Sequence, residues 1–215
     1  MTEATVEITW LGHACVRIRT KQAVVLLDPF ERSSGLDMGR PTADIVAVSH
    51  DHPLHAHVAG VKGEPLVIGG PGEYEVQGVQ ILGVATSLRP LEGGAKPGRN
   101  VAYLVEAEGI HVAHLGDIGI QPTAADAEPL VNADILILPI AEGTLEPDQA
   151  ARTVRLLEPS IVIPTGHQAD GGEDPRLKAF LTAVGIEPEP PVTKLVVQGR
   201  TLGETQRIVL LEPRG

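Results

Sequence analysis

Histidines at positions 50, 52, 55 and 57 make up half of the eight in the chain, in the run Ser49-His50-Asp51-His52-Pro53-Leu54-His55-Ala56-His57. A neutral imidazole is the commonest protein metal ligand. A strand that ends in His-x-His-x-x-His aims several ring nitrogens into one small volume, as a metal site requires. Two other readings stand beside this one. The run could be a polar surface tract with incidental metal affinity, or a set of close imidazoles that cannot all be charged together and so respond to pH.

Two further candidates share the placement of His50. It follows the apolar run 45–48, Asp117 follows the run 110–115, and His167 follows 161–163. In α/β architectures, chemistry collects beyond the carboxyl ends of strands, where loops are held by a rigid scaffold. Gly116 lets the backbone approach closely just before the Asp117 carboxylate. A turn aspartate or a helix cap explains Asp117 as well when it is taken alone.

The elements that must position these groups are short. Runs 5–10, 14–18 and 23–27 read as a β-meander, and 45–48, 66–68, 74–76, 79–84, 101–105 and 110–115 continue it, with a hairpin or bulged ribbon about Gly78. Pro147-Asp148 opens a helix carrying Ala150, Val154 and Leu157 on one stripe, closed by Pro159. Asp174-Pro175 opens a second, with Leu177, Phe180, Leu181 and Val184 inward and Gly185 past its end. Strands at 135–138, 161–163, 195–197 and 208–211 alternate with these helices. The pattern predicts a layered α/β sandwich, residues 1–215 forming one domain without internal repeats.

Composition sets the outer bounds. Aromatics are 2% of the 215 residues, so Val, Ile, Leu and Ala must fill the core. A net charge of −11 argues against nucleic-acid or anionic-membrane partners. Cys15, the only cysteine, lies in an apolar run and reads as a buried thiol. With no apolar stretch of transmembrane length and no leader-like start, the expectation is a soluble cytoplasmic protein.

The pieces Trp10-Leu11-Gly12-His13, Leu27-Asp28-Pro29, Ser49-His50-Asp51-His52, Gly70-Pro71-Gly72-Glu73-Tyr74, His114-Leu115-Gly116-Asp117 and Ile161-Val162-Ile163-Pro164 occur in this order. Together they resemble the metallo-β-lactamase superfamily, in its branch of small zinc-dependent hydrolases related to ascorbate-phosphate lactonases. The resemblance runs from residue 5 to about 167. It implies a four-layer αββα sandwich with a two-metal site at one edge. It assigns His50 and His52 to the first metal, His55 to the second and Asp117 to the bridge between them. His13 and Asp28 match positions that fix imidazole orientation, although a plain structural hydrogen bond accounts for each equally well.

Three positions depart from that pattern. Leu54 stands where the family motif has Asp, Leu88 where the branch has His, and Gly166 where its last His falls, leaving His167 one residue late. Leucine has no lone pair, so Leu54 and Leu88 remove coordination outright. The resulting expectation is a reduced site: zinc or another divalent ion, at partial occupancy, on His50, His52 and Asp117 with an open water position. His55 and His167 would add at most a weak second ion. Arg89, Lys96 and Arg99, in the Gly/Pro-rich segment 88–99, are candidates to contact an anionic substrate, a solvated loop being the alternative. His57 reads as loop surface or as a replacement ligand, and His111 and His114 as ordinary strand residues.

Two functions follow. One is a metal-dependent hydrolase acting on a small ester, lactone or phosphoester through an altered, mononuclear site. The other is a non-catalytic descendant, a binding or regulatory protein that keeps the sandwich without its chemistry.

Overall fold

The alternation of β-branched runs with two well-capped helices builds two stacked sheets. The computed structural model describes residues 5–32, 35–90, 96–168, 174–198, 202–203 and 205–214. The strands of the first half are β1 (Thr5–Gly12), β2 (Cys15–Arg19), β3 (Val24–Leu27), β4 (Ile45–Ala47), β5 (Leu66–Ile68), β6 (Gly72–Val76) and β7 (Val79–Ser87). Then come β8 (Arg99–Ala107), β9 (Ile110–His114), the short helix α1 (Ala124–Ala127), β10 (Ile135–Pro139) and α2 (Pro147–Leu157). The chain ends with β11 (Ile161–Thr165), α3 (Pro175–Val184), β12 (Pro188–Val192), β13 (Leu195–Gln198) and β14 (Arg207–Leu211).

One sheet has the order β13-β1-β2-β3-β4-β5, the other β12-β14-β11-β10-β9-β8-β7-β6. Val6, Ile8, Trp10, Val25 and Leu27 of the first sheet meet Ile81, Tyr103, Val105, Ile137 and Ile163 of the second, forming the inter-sheet core. The opposite face of the second sheet buries Ala113, Leu136, Leu138 and Val162 against Val154 and Leu157 of α2 and Phe180 of α3. The opposite face of the first sheet, with Leu11, Cys15, Leu26 and Val46, is covered by Phe30, Met38 and Val61. These lie in the connections after β3 and after β4, the second of which carries a 3-10 turn at Val58–Gly60. The architecture is thus a mixed α/β sandwich, with α2 and α3 as its helical layer.

Helix ends follow the sequence signals. Asp174 caps α3 by accepting from the amides of Arg176 (2.8 Å) and Leu177 (3.1 Å), and Gly185 closes it in the left-handed conformation at φ 76°. A capping box between Glu146 and Gln149, with proline at the first turn, starts α2. Strand β12 lacks any apolar alternation, since its sequence is Pro-Glu-Pro-Pro-Val. It forms because it lies at the sheet edge, where prolines forfeit no interior ladder bond. Cys15 is fully buried, and burial pushes its thiol pKa up. Among the described residues, no helix is long and apolar enough to cross a membrane. Residues 1–4, which bear on the leader-like reading, and 91–95 of the Gly/Pro-rich segment lie outside the described residues.

Candidate metal centre

The histidine loop leaves the end of β4 and is clamped between the two sheets. Tyr103 of β8 donates its hydroxyl to the Val48 carbonyl (2.8 Å), and the Val101 amide donates to the Ser49 carbonyl (2.9 Å). Asp28, at the end of β3 and wholly buried, anchors the loop from the other side. Its Oδ1 accepts from the Ser49 amide (2.7 Å), while its Oδ2 accepts from Ser49 Oγ (2.7 Å) and from His55 Nδ1 (3.0 Å).

These bonds fix the tautomer of His50. The Ser49 hydroxyl has one proton and gives it to Asp28, which can only accept. Ser49 Oγ therefore accepts from His50 Nδ1 at 3.0 Å, leaving the His50 Nε2 lone pair free for a ligand. His50, His52 and His55 each offer a nitrogen, and the three lie within 4.8 Å of one another. Asp117 adjoins the trio through Oδ2, 3.1 Å from His55 Nε2. Bond lengths of about 2.0–2.1 Å to zinc demand donors somewhat closer than that outer limit. Three imidazoles, a neighbouring carboxylate and an open side suit a borderline-soft divalent ion.

The carboxylates decide the charge of the cluster. Burial pulls the His55 pKa down, but the hydrogen bonds to Asp117 and Asp28 outweigh it and push the pKa up to about 10. Asp28 moves the other way: burial raises its pKa, yet the His55 bond, the His55 and His114 charges and the Ser49 amide hold it below its usual value. His50 is lowered, first by burial and then by the His55 charge. In the metal-free protein, His55 is an imidazolium bridging two carboxylates.

Asp117 is placed by groups that have no obvious signature in the sequence. Asn100, buried at the start of β8, accepts from the Asp117 amide (3.1 Å) and donates to the Leu115 carbonyl (2.9 Å). Gly116 sits at φ 58°, where an added Cβ would come within 2.5 Å of Ser49 Cβ and 2.6 Å of Asn100 Oδ1. Glycine is required there, and it brings the Asp117 turn against the histidine loop. Ser49, Asn100 and Tyr103 thus position the site without having stood out as candidates. The one available sign was that Asn100 is polar at the head of an apolar strand.

The other sequence candidates scatter. Leu54 lines a cleft of ≈ 300 Å³ together with His13, His52, His55, Asp117 and Gly166. Leu88 instead lies against Gly98, to whose carbonyl its amide donates (3.0 Å). His167 is turned onto Trp10, with ring centroids 4.7 Å apart, and belongs neither to the trio nor to the cleft lining. The Arg89 guanidinium is held by the Thr144 carbonyl (2.7 Å) and Glu146 Oε1 (2.6 Å). Lys96 and Arg99 are exposed and lie outside the cleft lining. His57 lines a separate cavity with Phe30 and Met38. His114 is structural, its Nε2 donating to the Ala14 carbonyl (2.8 Å) across the two sheets. His111 lies between Glu106 and Asp134, 3.4 Å from each. A larger groove of ≈ 680 Å³ along α3 is lined without any histidine, so the donor chemistry singles out the smaller cleft.

Two stacked sheets carrying a histidine-rich loop beside a Gly-Asp turn define a metallo-β-lactamase type of sandwich. The β-lactamase superfamily domain matches residues 7–166, and the chain belongs to that superfamily. A protein of Thermotoga maritima, described as a Zn-dependent hydrolase of the metallo-β-lactamase superfamily, is similar at a TM-score of 0.77 and 29% identity, covering 97% of this chain and 100% of the other. A metal-dependent hydrolase of Methanopyrus kandleri is 29% identical over 96% of each chain. One of Pyrococcus furiosus is 25% identical over 97% of each.

Proposed function

We propose that the protein is a metal-dependent hydrolase that holds one zinc or other divalent ion on His50, His52 and His55, with Asp117 beside it. Its substrate would be a small ester, lactone or phosphoester, and the cytoplasm its place of work. The observation that carries this reading is the convergence of three imidazole nitrogens within 4.8 Å, next to a carboxylate. The hydrolase names of the Thermotoga and Methanopyrus relatives support it.

A divalent ion held there supplies Lewis acidity, polarising a scissile oxygen and lowering the pKa of water. The chain's own groups do the rest. Asp28 holds Nδ1 of His55, and Ser49 holds Nδ1 of His50, so each ring keeps Nε2 for the three-histidine cluster. Leu54, Pro139 and Ala141 give the cleft an apolar wall that limits water. Arg89 is occupied by Thr144 and Glu146, and among the described residues no Lys or Arg lines the cleft. An anionic substrate would therefore have to rely on the ion for its charge.

The test is metal content by plasma mass spectrometry after purification without chelator and dialysis against trace zinc. The expected result is one tightly held ion per chain, lost in His52→Ala. Absence of metal in the wild-type protein would favour the second reading, a non-catalytic binding protein, which the donor-free Leu54 in the cleft wall supports. Leu54→Asp places a carboxylate in that wall. It is expected to tighten zinc binding by at least about tenfold, equivalent to ~1.4 kcal/mol, in a chelator-competition titration. An unchanged affinity would show that position 54 does not face the ion.

A further inference from the structure

We propose that His13 is a metal ligand, serving with Asp117 a second and weaker ion position next to the three-histidine site. The inference rests on the metal-binding reading above. His13 sits in the tight turn between β1 and β2 with a left-handed backbone, φ 48°. The turn is locked: Trp10 Nε1 donates to the His13 carbonyl (2.8 Å), and the His13 ring stands edge-on to Phe30 with centroids 4.9 Å apart at 80°. This rigid mounting delivers the side chain to the cleft that also holds His55 and Asp117.

The ring nitrogen Nε2 is buried there without a hydrogen-bond partner. A buried polar atom carries its full desolvation penalty unless something satisfies it, and native structures leave few such atoms unpaired. The Leu54, Pro139 and Ala141 side chains of the cleft wall have no donor or acceptor to offer it. The charges it feels are those of His55 and Asp117. A buried ring nitrogen without a protein partner, on a residue that shares its cleft with a carboxylate and two of the clustered histidines, is matched by a cation.

Other histidines do not fit the role. Both ring nitrogens of His114 are engaged, by the Ala14 carbonyl and the Gly116 amide. His167 Nε2 is also buried and unpartnered, but its ring lies on Trp10 and outside the cleft. His13 stands outside the trio whose nitrogens are mutually within 4.8 Å. It therefore serves a separate position rather than completing the first one. With two protein donors, that position fills after the first.

The test is zinc binding by equilibrium dialysis with plasma mass spectrometry, on the wild-type protein and on His13→Asn. Asparagine tolerates the left-handed backbone, so the turn is kept. The expected wild-type result is two binding steps. In His13→Asn the first should be unchanged and the second weakened at least about tenfold. Long-range ¹H–¹⁵N spectra of the wild-type imidazoles supply a readout that does not depend on the variant folding. The His13 Nε2 resonance should move with the second zinc equivalent and not with the first.

A second step indifferent to His13→Asn, or a still His13 resonance, would overturn the proposal while leaving the first site standing. A single binding step at every zinc concentration would do the same. A wild-type protein that takes up no zinc sinks this proposal and the hydrolase reading together.

Discussion

Asp28→Asn is expected to leave the protein folded and to weaken zinc binding by about 10- to 100-fold, the usual consequence of losing a group that orients a metal-binding imidazole. The reason lies in which atoms face which. The Asp28 Oδ1 position must stay an oxygen, because it accepts from the Ser49 amide at 2.7 Å. The new amide nitrogen then falls at the Oδ2 position, facing Ser49 Oγ and His55 Nδ1. An N–H donor there cannot accept from His55 Nδ1–H, so the ring shifts its proton to Nε2, the atom the ion needs. Asparagine also accepts the left-handed backbone found at this residue, φ 48°.

Asp28→Ala should be worse in a different way. It removes the acceptor for three donors and leaves His55 buried with one carboxylate instead of two. Losing one partner of a buried ion pair costs about 3–5 kcal/mol, and thermal denaturation should show it as a large fall in Tm. If Asp28→Asn bound zinc as tightly as wild type, the placement of His55 as a ligand would be wrong.

The second large effect is on pH. In the metal-free protein the His55 pKa is raised from its ordinary 6.5 to about 10. A base raised by folding contributes stability that is fully present below 6.5 and is lost as pH climbs toward 10. His13, His50 and His167 are lowered, chiefly by burial. Their sign is opposite: the unfolded chain takes up protons on them below 6.5 and the fold loses stability on that side. The metal-free protein should therefore be most stable near pH 6.5 and weaken both above and below it.

Zinc reverses the alkaline limb. The ion needs the Nε2 lone pair of His55, so binding must displace the proton shared with Asp117. Apparent zinc affinity should rise on the order of tenfold per pH unit between pH 6 and 8, with one proton released per ion. Chelator competition at three pH values, with calorimetry in buffers of different ionisation enthalpy, measures both quantities. A flat profile would mean that His55 is not a ligand, whatever the other two histidines do.

Much of the fold was legible because the physics behind it is local. Ala150, Val154 and Leu157 mark one face of α2, and Asp174 and Gly185 bracket α3, so both helices stand where periodicity and capping put them. The uniformly apolar 135–138 and 161–163 runs became adjacent parallel strands buried on both faces. Strand β12 was not legible, because its prolines carry no β pattern and only an empty sheet edge made it a strand.

The same division applies to the site. His50, His52 and His55 are close in sequence and leave one strand end together, so their spacing alone implied convergence. His167 followed a strand end too, yet its ring settled on Trp10, a residue of β1 that is remote in sequence. Leu54 and Leu88 looked alike as donor-free replacements, but one lines the cleft and the other packs on Gly98.

The sequence by itself determined the superfamily, helices α2 and α3, most strands and the three converging histidines, because motif order, periodicity and short-range spacing are written along the chain. Only the tertiary structure decided that Asp28 and Asp117 grip His55 from two sides, that Asn100 and Tyr103 hold the loops, and that Arg89 is spent on Glu146. Those contacts join residues from separate strands and loops, up to 62 positions apart between His55 and Asp117. Their geometry is set by how two sheets stack, and no local pattern encodes it.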